Sequence, residues 1–200
     1  MVNQVDFNQM EPKQSKNGNS VCVLLSGGLD SAACVAFYIR RGFKVRTLHV
    51  DYGQSAAIQE DVASSAIANY YHVERLKLCL QGTQPKTSGL IHGRNAFLLF
   101  IALMEFGPGV CLFVTGVHTG TTYGDCSASF MNSIQRIFDI YTDGVSRVAA
   151  PFIDWTKRDI WDFCIKENVP VGLTYSCEFG GDVPCGRCLS CKDMEALRAA

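Results

Sequence analysis

Several things are scarce in this chain, and each scarcity excludes a class of function. Eighteen Lys and Arg against 19 Asp and Glu leave a formal net charge of −1. No global positive field is therefore available to recruit nucleic acid. No apolar run approaches the ~20 residues of a membrane-spanning helix, and the N-terminus lacks the charged-then-apolar pattern of a secretory leader. The expected location is cytoplasmic, with no membrane and no direct nucleic-acid partner. Charged residues make up 18% against 48% hydrophobic, a balance that excludes general disorder and suits one compact α/β domain. Internal repeats are absent.

The most informative segment is Val21–Ser31, VCVLLSGGLDS. Its unalternating apolar run predicts a strand buried on both faces. Gly27 and Gly28 permit a tight strand-to-helix turn, and Asp30 or Ser31 can cap the helix that follows, which Gly42 ends. Backbone N–H groups converging at a helix start suit a phosphate or pyrophosphate. The loop is not a Walker A sequence, which would read GxxxxGK followed by Ser or Thr.

Further elements alternate along the chain. Strands are expected at residues 45–50, 73–80, 110–115 and 147–150, and helices at 55–70, 95–106, 127–139 and 157–167. Ile58, Val62 and Ile67 mark the inner face expected for the second helix, and the third helix is apolar enough to be buried. A polar loop is expected over 81–93, and residues 1–19 read as a disordered tail. The fold class is α/β, an open, mostly parallel, doubly wound sheet whose ligands bind beyond the carboxyl ends of the strands.

Nine of the ten cysteines divide into two groups, and Cys126 stands apart beside Asp125. Cys22, Cys34, Cys79, Cys111 and Cys164 sit singly in apolar runs and are expected in the core. Cys177, Cys185, Cys188 and Cys191 have the spacing of a closed tetrahedral zinc site, although an iron–sulfur cluster also takes four cysteines and a CxxC pair can be redox-active. Residues 20–170 and 171–200 then form an α/β body and a C-terminal four-cysteine motif packed on it.

SGGLDS resembles the PP-loop of the N-type ATP pyrophosphatases, the adenine nucleotide alpha hydrolase-like enzymes that cleave ATP between its α and β phosphates. Resemblance implies that Ser26, Gly27, Gly28, Asp30 and Ser31 hold the leaving pyrophosphate. DYGQ at 51–54, GRN at 93–95, TGV at 115–117, Asp125 with Cys126 and the terminal cysteines follow in the order of the 7-cyano-7-deazaguanine synthase family, covering about residues 20–195. That likeness implies ATP, Mg2+ and structural Zn2+ as cofactors, a deazaguanine substrate with ammonia, and a homodimer. It places Asp51, Arg94 and Gly116 at the nucleotide, Lys157 at its phosphates, and Tyr123, Asp125 and Asn95 at the substrate. Read on their own residues, Asp51 is equally a turn carboxylate, Arg94 a helix-end ion pair, Asn95 an N-cap, Lys157 a solvated helix residue, and Tyr123 and Asp125 plain turn residues. His49, His92 and His118 have no evident partner in the sequence.

The chain departs from the family on its substrate side. The 81–93 loop is short and lacks the proline that commonly precedes GRN, Ser55 and Ala56 replace basic residues, and HTGTTYGDC replaces an acidic version. Two alternatives follow: a shortened relative from a bacterial anti-phage operon of the CBASS type, which would join the activated deazaguanine to a protein amine, and a silent nucleotide-binding module.

Overall fold

A computed structural model describes residues 19–82, 84, 86, 90–118, 120 and 123–199. The tail expected at 1–19, apart from Asn19, lies outside the described residues, as do parts of the 81–93 loop and of HTGTTYGDC. Five strands, β1 (Ser20–Leu24), β2 (Lys44–Asp51), β3 (Glu74–Cys79), β4 (Leu112–Val114) and β5 (Arg147–Ala149), pair in parallel in the order β3-β2-β1-β4-β5. Sequence order reverses between β1 and β4, and this switch point opens a crevice at the carboxyl ends of the two strands.

Alternation along β1 explains why positions 21–24 carry no polar residue. Val21 and Val23 point into a core shared with helices α1 (Leu29–Arg40), α5 (Lys157–Lys166) and α6 (Leu189–Ala199), whereas Cys22 points into a second core with α3 (Arg94–Phe106) and α4 (Ala128–Thr142). Both faces of the sheet are therefore apolar, as βαβ crossovers require. Fully buried rings such as Phe113 and Phe138, in edge-to-face contact at 5.5 Å, each contribute ~1.5–3 kcal/mol of apolar burial.

Helix α2 (Ala57–Tyr70) corrects one expectation. Ile67 is buried, but Ile58 and Val62 face outward, and the inner face is Ala63, Ser64, Ile67 and Ala68. Small residues are needed there because the loop after β1 lies directly on this helix. Helix α3 is also less enclosed than its composition suggests: Leu99, Ile101 and Ala102 are buried while Phe97 and Met104 are exposed. Cys22, Cys34 and Cys164 are core residues as expected, but Cys79 is exposed on edge strand β3 and Cys111 is half-buried. Helix α6 is not evident in the sequence pattern, yet Met194 and Leu197 join the core beside α1 and α5. Among the described residues, no helix is long and apolar enough to cross a membrane.

Candidate active site

The loop Ser26–Gly28 closes on itself through two hydroxyls. Ser31 Oγ accepts from Gly27 N (3.2 Å) and donates to Gly28 O (2.9 Å), while Ser26 Oγ accepts from Gly28 N (3.3 Å). Gly28 is the N-cap of α1 and receives no side-chain cap, so neither Asp30 nor Ser31 caps the helix as the sequence suggested. Ser31 instead shapes the loop, and Asp30 occupies the first turn. Gly27 has φ +93°, and a Cβ there would meet Ala63 Cβ at 2.8 Å and backbone atoms of Glu60 and Ser64 at 2.9 Å. Only glycine supplies both the conformation and the clearance.

Asp30 is the centre of the charged geometry. Lys157 Nζ, at the start of α5, donates to both of its carboxylate oxygens, at 2.7 and 2.6 Å. His118 Nε2 lies 4.0 Å from Asp30 Oδ2, and the His118 ring is buried. Gly116 permits this convergence, because a Cβ on it would sit 3.1 Å from the backbone carbon and Cβ of Asp30. Burial holds the His118 imidazole below its ordinary pKa, with the Asp30 charge opposing that shift and Lys157 reinforcing it.

A cavity of about 820 Å³ opens above these groups. Its walls carry Ser26, Gly28, Asp30 and Ser31 from the loop and α1, Tyr52 after β2, Arg94 and Asn95 from α3, and Gly116, Tyr123 and Lys157. Most residues singled out in the sequence are thus brought to one cleft. Asp51 and Asp125 are not among the lining residues: Asp51 Oδ1 accepts from Gly53 N (3.0 Å), and Asp125 presents its carbonyl to Asn95 Nδ2 (3.3 Å). Gly27 is likewise not a lining residue and faces α2. Asn95 is buried inside the first turn of α3, whose N-cap is Gly93, so it ties α3 to the 124–126 turn rather than capping its helix. Arg94 stands beside Tyr52 and Glu60. Burial raises the Tyr52 hydroxyl and the Glu60 carboxyl above their ordinary pKa values, and the guanidinium pulls both back.

The cleft also recruits residues that the sequence reading passed over. Glu60 lines it while accepting from Gln54 Nε2 (2.7 Å), which gives the last residue of DYGQ a positioning role. His49 reaches Leu25 O at 3.2 Å, and its other ring nitrogen is buried without a partner among the described residues. The only available signal was position, since His49 lies near the end of an apolar strand and His118 follows TGV.

Cys177, Cys185, Cys188 and Cys191 place their sulfurs within 4.8 Å of one another. Four thiolates at ~2.3 Å from a tetrahedral metal stand roughly 3.8 Å apart, so the residues fit such an ion. Backbone N–H groups of Arg187 and Cys188 point at Cys185 Sγ, that of Cys185 at Cys177 Sγ, and that of Cys191 at Cys188 Sγ, at 3.4–3.5 Å. Burial raises the Cys177 thiol, but the N–H donors of Cys185 and Phe179 outweigh it and bring it down to about 6. The knot is joined to the loop through Tyr175, whose N–H donates to Gly27 O (2.9 Å), and Glu178, Leu189, Ser190 and Asp193 line the same cavity.

Comparison with known proteins places this geometry in a lineage. The fold is similar to that of a 4-thiouridine synthetase solved with RNA and bound ATP, with 16% identity, TM-score 0.52, and coverage of 91% of this chain and 50% of that one. A 7-cyano-7-deazaguanine synthase of Synechococcus sp. (strain CC9311) is 32% identical, covering 91% of this chain and 94% of the relative. Another, from Thermoplasma volcanium, is 29% identical, covering 85% and 82%. The family model described as queuosine biosynthesis protein QueC matches residues 20–94 and 79–199. With the loop, the cleft and the four-cysteine knot on those matched residues, the chain belongs to the QueC family.

Proposed function

We propose that the protein is an ATP-dependent carbon–nitrogen ligase that converts 7-carboxy-7-deazaguanine into 7-cyano-7-deazaguanine. One observation carries the reading: the SGGLDS loop, Asp30 and Lys157 form one end of a cleft large enough for a nucleotide and a second small molecule, in a chain whose full-length relatives are named for that synthesis. A carboxylate is a poor electrophile. Its oxygen attacks the α-phosphorus of ATP and pyrophosphate departs. Ammonia then adds at the activated carbon, AMP leaves with the former carboxylate oxygen, and an amide remains. The amide oxygen then attacks the α-phosphorus of a second ATP, releasing pyrophosphate, and loss of AMP together with both protons of the amide nitrogen gives the nitrile.

The protein's part is positioning and charge stabilisation, with no covalent nucleophile. Ser26, Gly28, Ser31 and Lys157 face the departing pyrophosphate, with Gly27 shaping the turn. Arg94 and Asn95 border the middle of the cleft, and Tyr123 offers a ring for the deazaguanine to stack on. Asp51 and Asp125, which do not line the cleft, are assigned to the ribose and the base by the family likeness alone. Mg2+ bound with the nucleotide would supply charge neutralisation on the polyphosphate, and the carboxylates of Asp30 and Glu60, which line the cleft, would hold it. Zn2+ is the metal that suits four thiolates with no open position, and its contribution is to cross-link the segment that covers Gly27. The relatives give the protein-conjugation alternative no support.

Incubation with ATP, 7-carboxy-7-deazaguanine and ammonium, followed by mass analysis, tests the proposal. The expected product is the nitrile, with pyrophosphate and AMP released in step. Pyrophosphate release without amide or nitrile would refute the assigned acceptor.

A further inference from the structure

Within the proposed ATP reaction, one residue outside the loop is built to act on Asp30. His118 Nδ1 accepts from Gly120 N (3.1 Å), so in the neutral ring the proton sits on Nε2, the nitrogen that faces Asp30 Oδ2 at 4.0 Å. Gly120 is fitted to this ring. A Cβ there would lie 2.7 Å from Nδ1 and 2.8 Å from Cε1, so the turn can present its N–H to His118 only if residue 120 has no side chain. His118 is buried, with only 7% of the residue exposed.

The charge arrangement around it poses a definite problem. Lys157 is shared between two anionic claims: both Asp30 oxygens now, and the phosphates of ATP once the cleft fills. Its long flexible stem lets it turn between them, whereas Asp30 is fixed in the first turn of α1. A partly buried carboxylate stripped of its cation is costly unless another donor replaces it. We propose that His118 is that replacement: its Nε2–H closes on Asp30 Oδ2 as Lys157 turns to the nucleotide, leaving Oδ1 free. His118 is a positioning residue that acts through Asp30. The other charged groups facing the ring are Lys157 on α5 and Asp193 on α6. Burial keeps the ring neutral, as a donor that does not compete with Lys157 for the phosphates.

Two substitutions separate this role from a merely structural one. In His118→Gln the side-chain amide reaches the Nε2 position and can donate to Asp30, but it gives up the Nδ1 acceptor. In His118→Asn the amide oxygen can still accept from Gly120 but no donor reaches Asp30. The experiment is calorimetric titration of each folded variant with MgATP, alongside wild type and with thermal melts as the folding control. His118→Asn should bind about tenfold or more weakly than wild type, the scale of a hydrogen bond to a charged group, and His118→Gln should stay close to wild type. If Asn binds as well as Gln or better, the role belongs to the Gly120 turn and the inference falls. Wild type that binds MgATP but makes no nitrile would overturn the assigned reaction and leave this inference standing. Wild type that binds no MgATP would overturn both.

Discussion

Lys157 and Asp30 lie 127 residues apart in sequence, yet Lys157 Nζ stands 2.7 and 2.6 Å from the two carboxylate oxygens. Each occupies the first turn of its helix. Asp30 there complements the partial positive charge of a helix N-terminus, whereas Lys157 opposes it. A cation set against the dipole of its own helix, and held by a carboxylate on the cleft wall, fits the proposed binding of an anionic nucleotide.

Lys157→Met should therefore leave the fold nearly unchanged and remove turnover. The pair is partly exposed, and such ion pairs contribute ~0–1 kcal/mol to stability. Loss of a preorganised cation at a departing pyrophosphate costs on the order of 10²-fold or more in rate. A pyrophosphate-release assay beside a thermal melt checks both halves. Asp30→Ala should abolish release as well, and turnover persisting in that variant would remove the loop from the mechanism.

Gly27→Ala tests the seat of the loop. The methyl group would have to fit at φ +93° and within 3 Å of α2 backbone atoms that cannot rotate away. Strain of ~1–3 kcal/mol is expected, lowering Tm by several degrees, together with loss of ATP binding because the loop must lift off α2. Gly28→Ala is the control. Its Cβ would stand 3.6 Å from Ser26 Oγ, an ordinary contact, so the melt should shift little.

The contrast between those glycines shows what was legible in the sequence. The buried strand, the turn after it and the alternation of strands with helices follow from local apolar pattern and from glycine, so β1, the loop and the doubly wound sheet could be read directly. The inner face of α2 could not, because Ala63 and Ser64 are chosen by the approach of Gly27 from 36 residues away, and that demand overrides the Ile58 and Val62 periodicity. His118 was unreadable for the same reason: its partner Asp30 lies on α1, and only the β1–β4 pairing brings the two strand ends together. Cysteine spacing, by contrast, is a local signal, and it placed four sulfurs together correctly.

Metal removal tests the knot. Elemental analysis of the purified protein should find about one zinc per chain, and Cys188→Ser should lose it. Tyr175 holds Gly27 O from the same segment, so loss of the metal should weaken MgATP binding as well as lower Tm. A knot that only closes the chain terminus would lower Tm and leave nucleotide affinity intact.

The last prediction concerns pH and rests on His49. Burial holds its imidazole below the ordinary value of 6.5, against the opposing pull of the Leu25 carbonyl. Its Nδ1–H donates to that carbonyl, and Nε2 is buried with no partner among the described residues. The unfolded chain therefore binds a proton more readily than the folded one. Stability should be fully present above about pH 6.5 and fall as pH drops below it, down to the folded-state pKa. His118, also lowered by burial, adds to the same slope. In His49→Asn the amide N–H can still donate to Leu25 O but nothing titrates, so urea unfolding between about pH 5 and 7 should show a flatter pH dependence than wild type. An unchanged slope would mean that the proton is taken up elsewhere, and that His49 serves the β1 terminus without coupling it to pH.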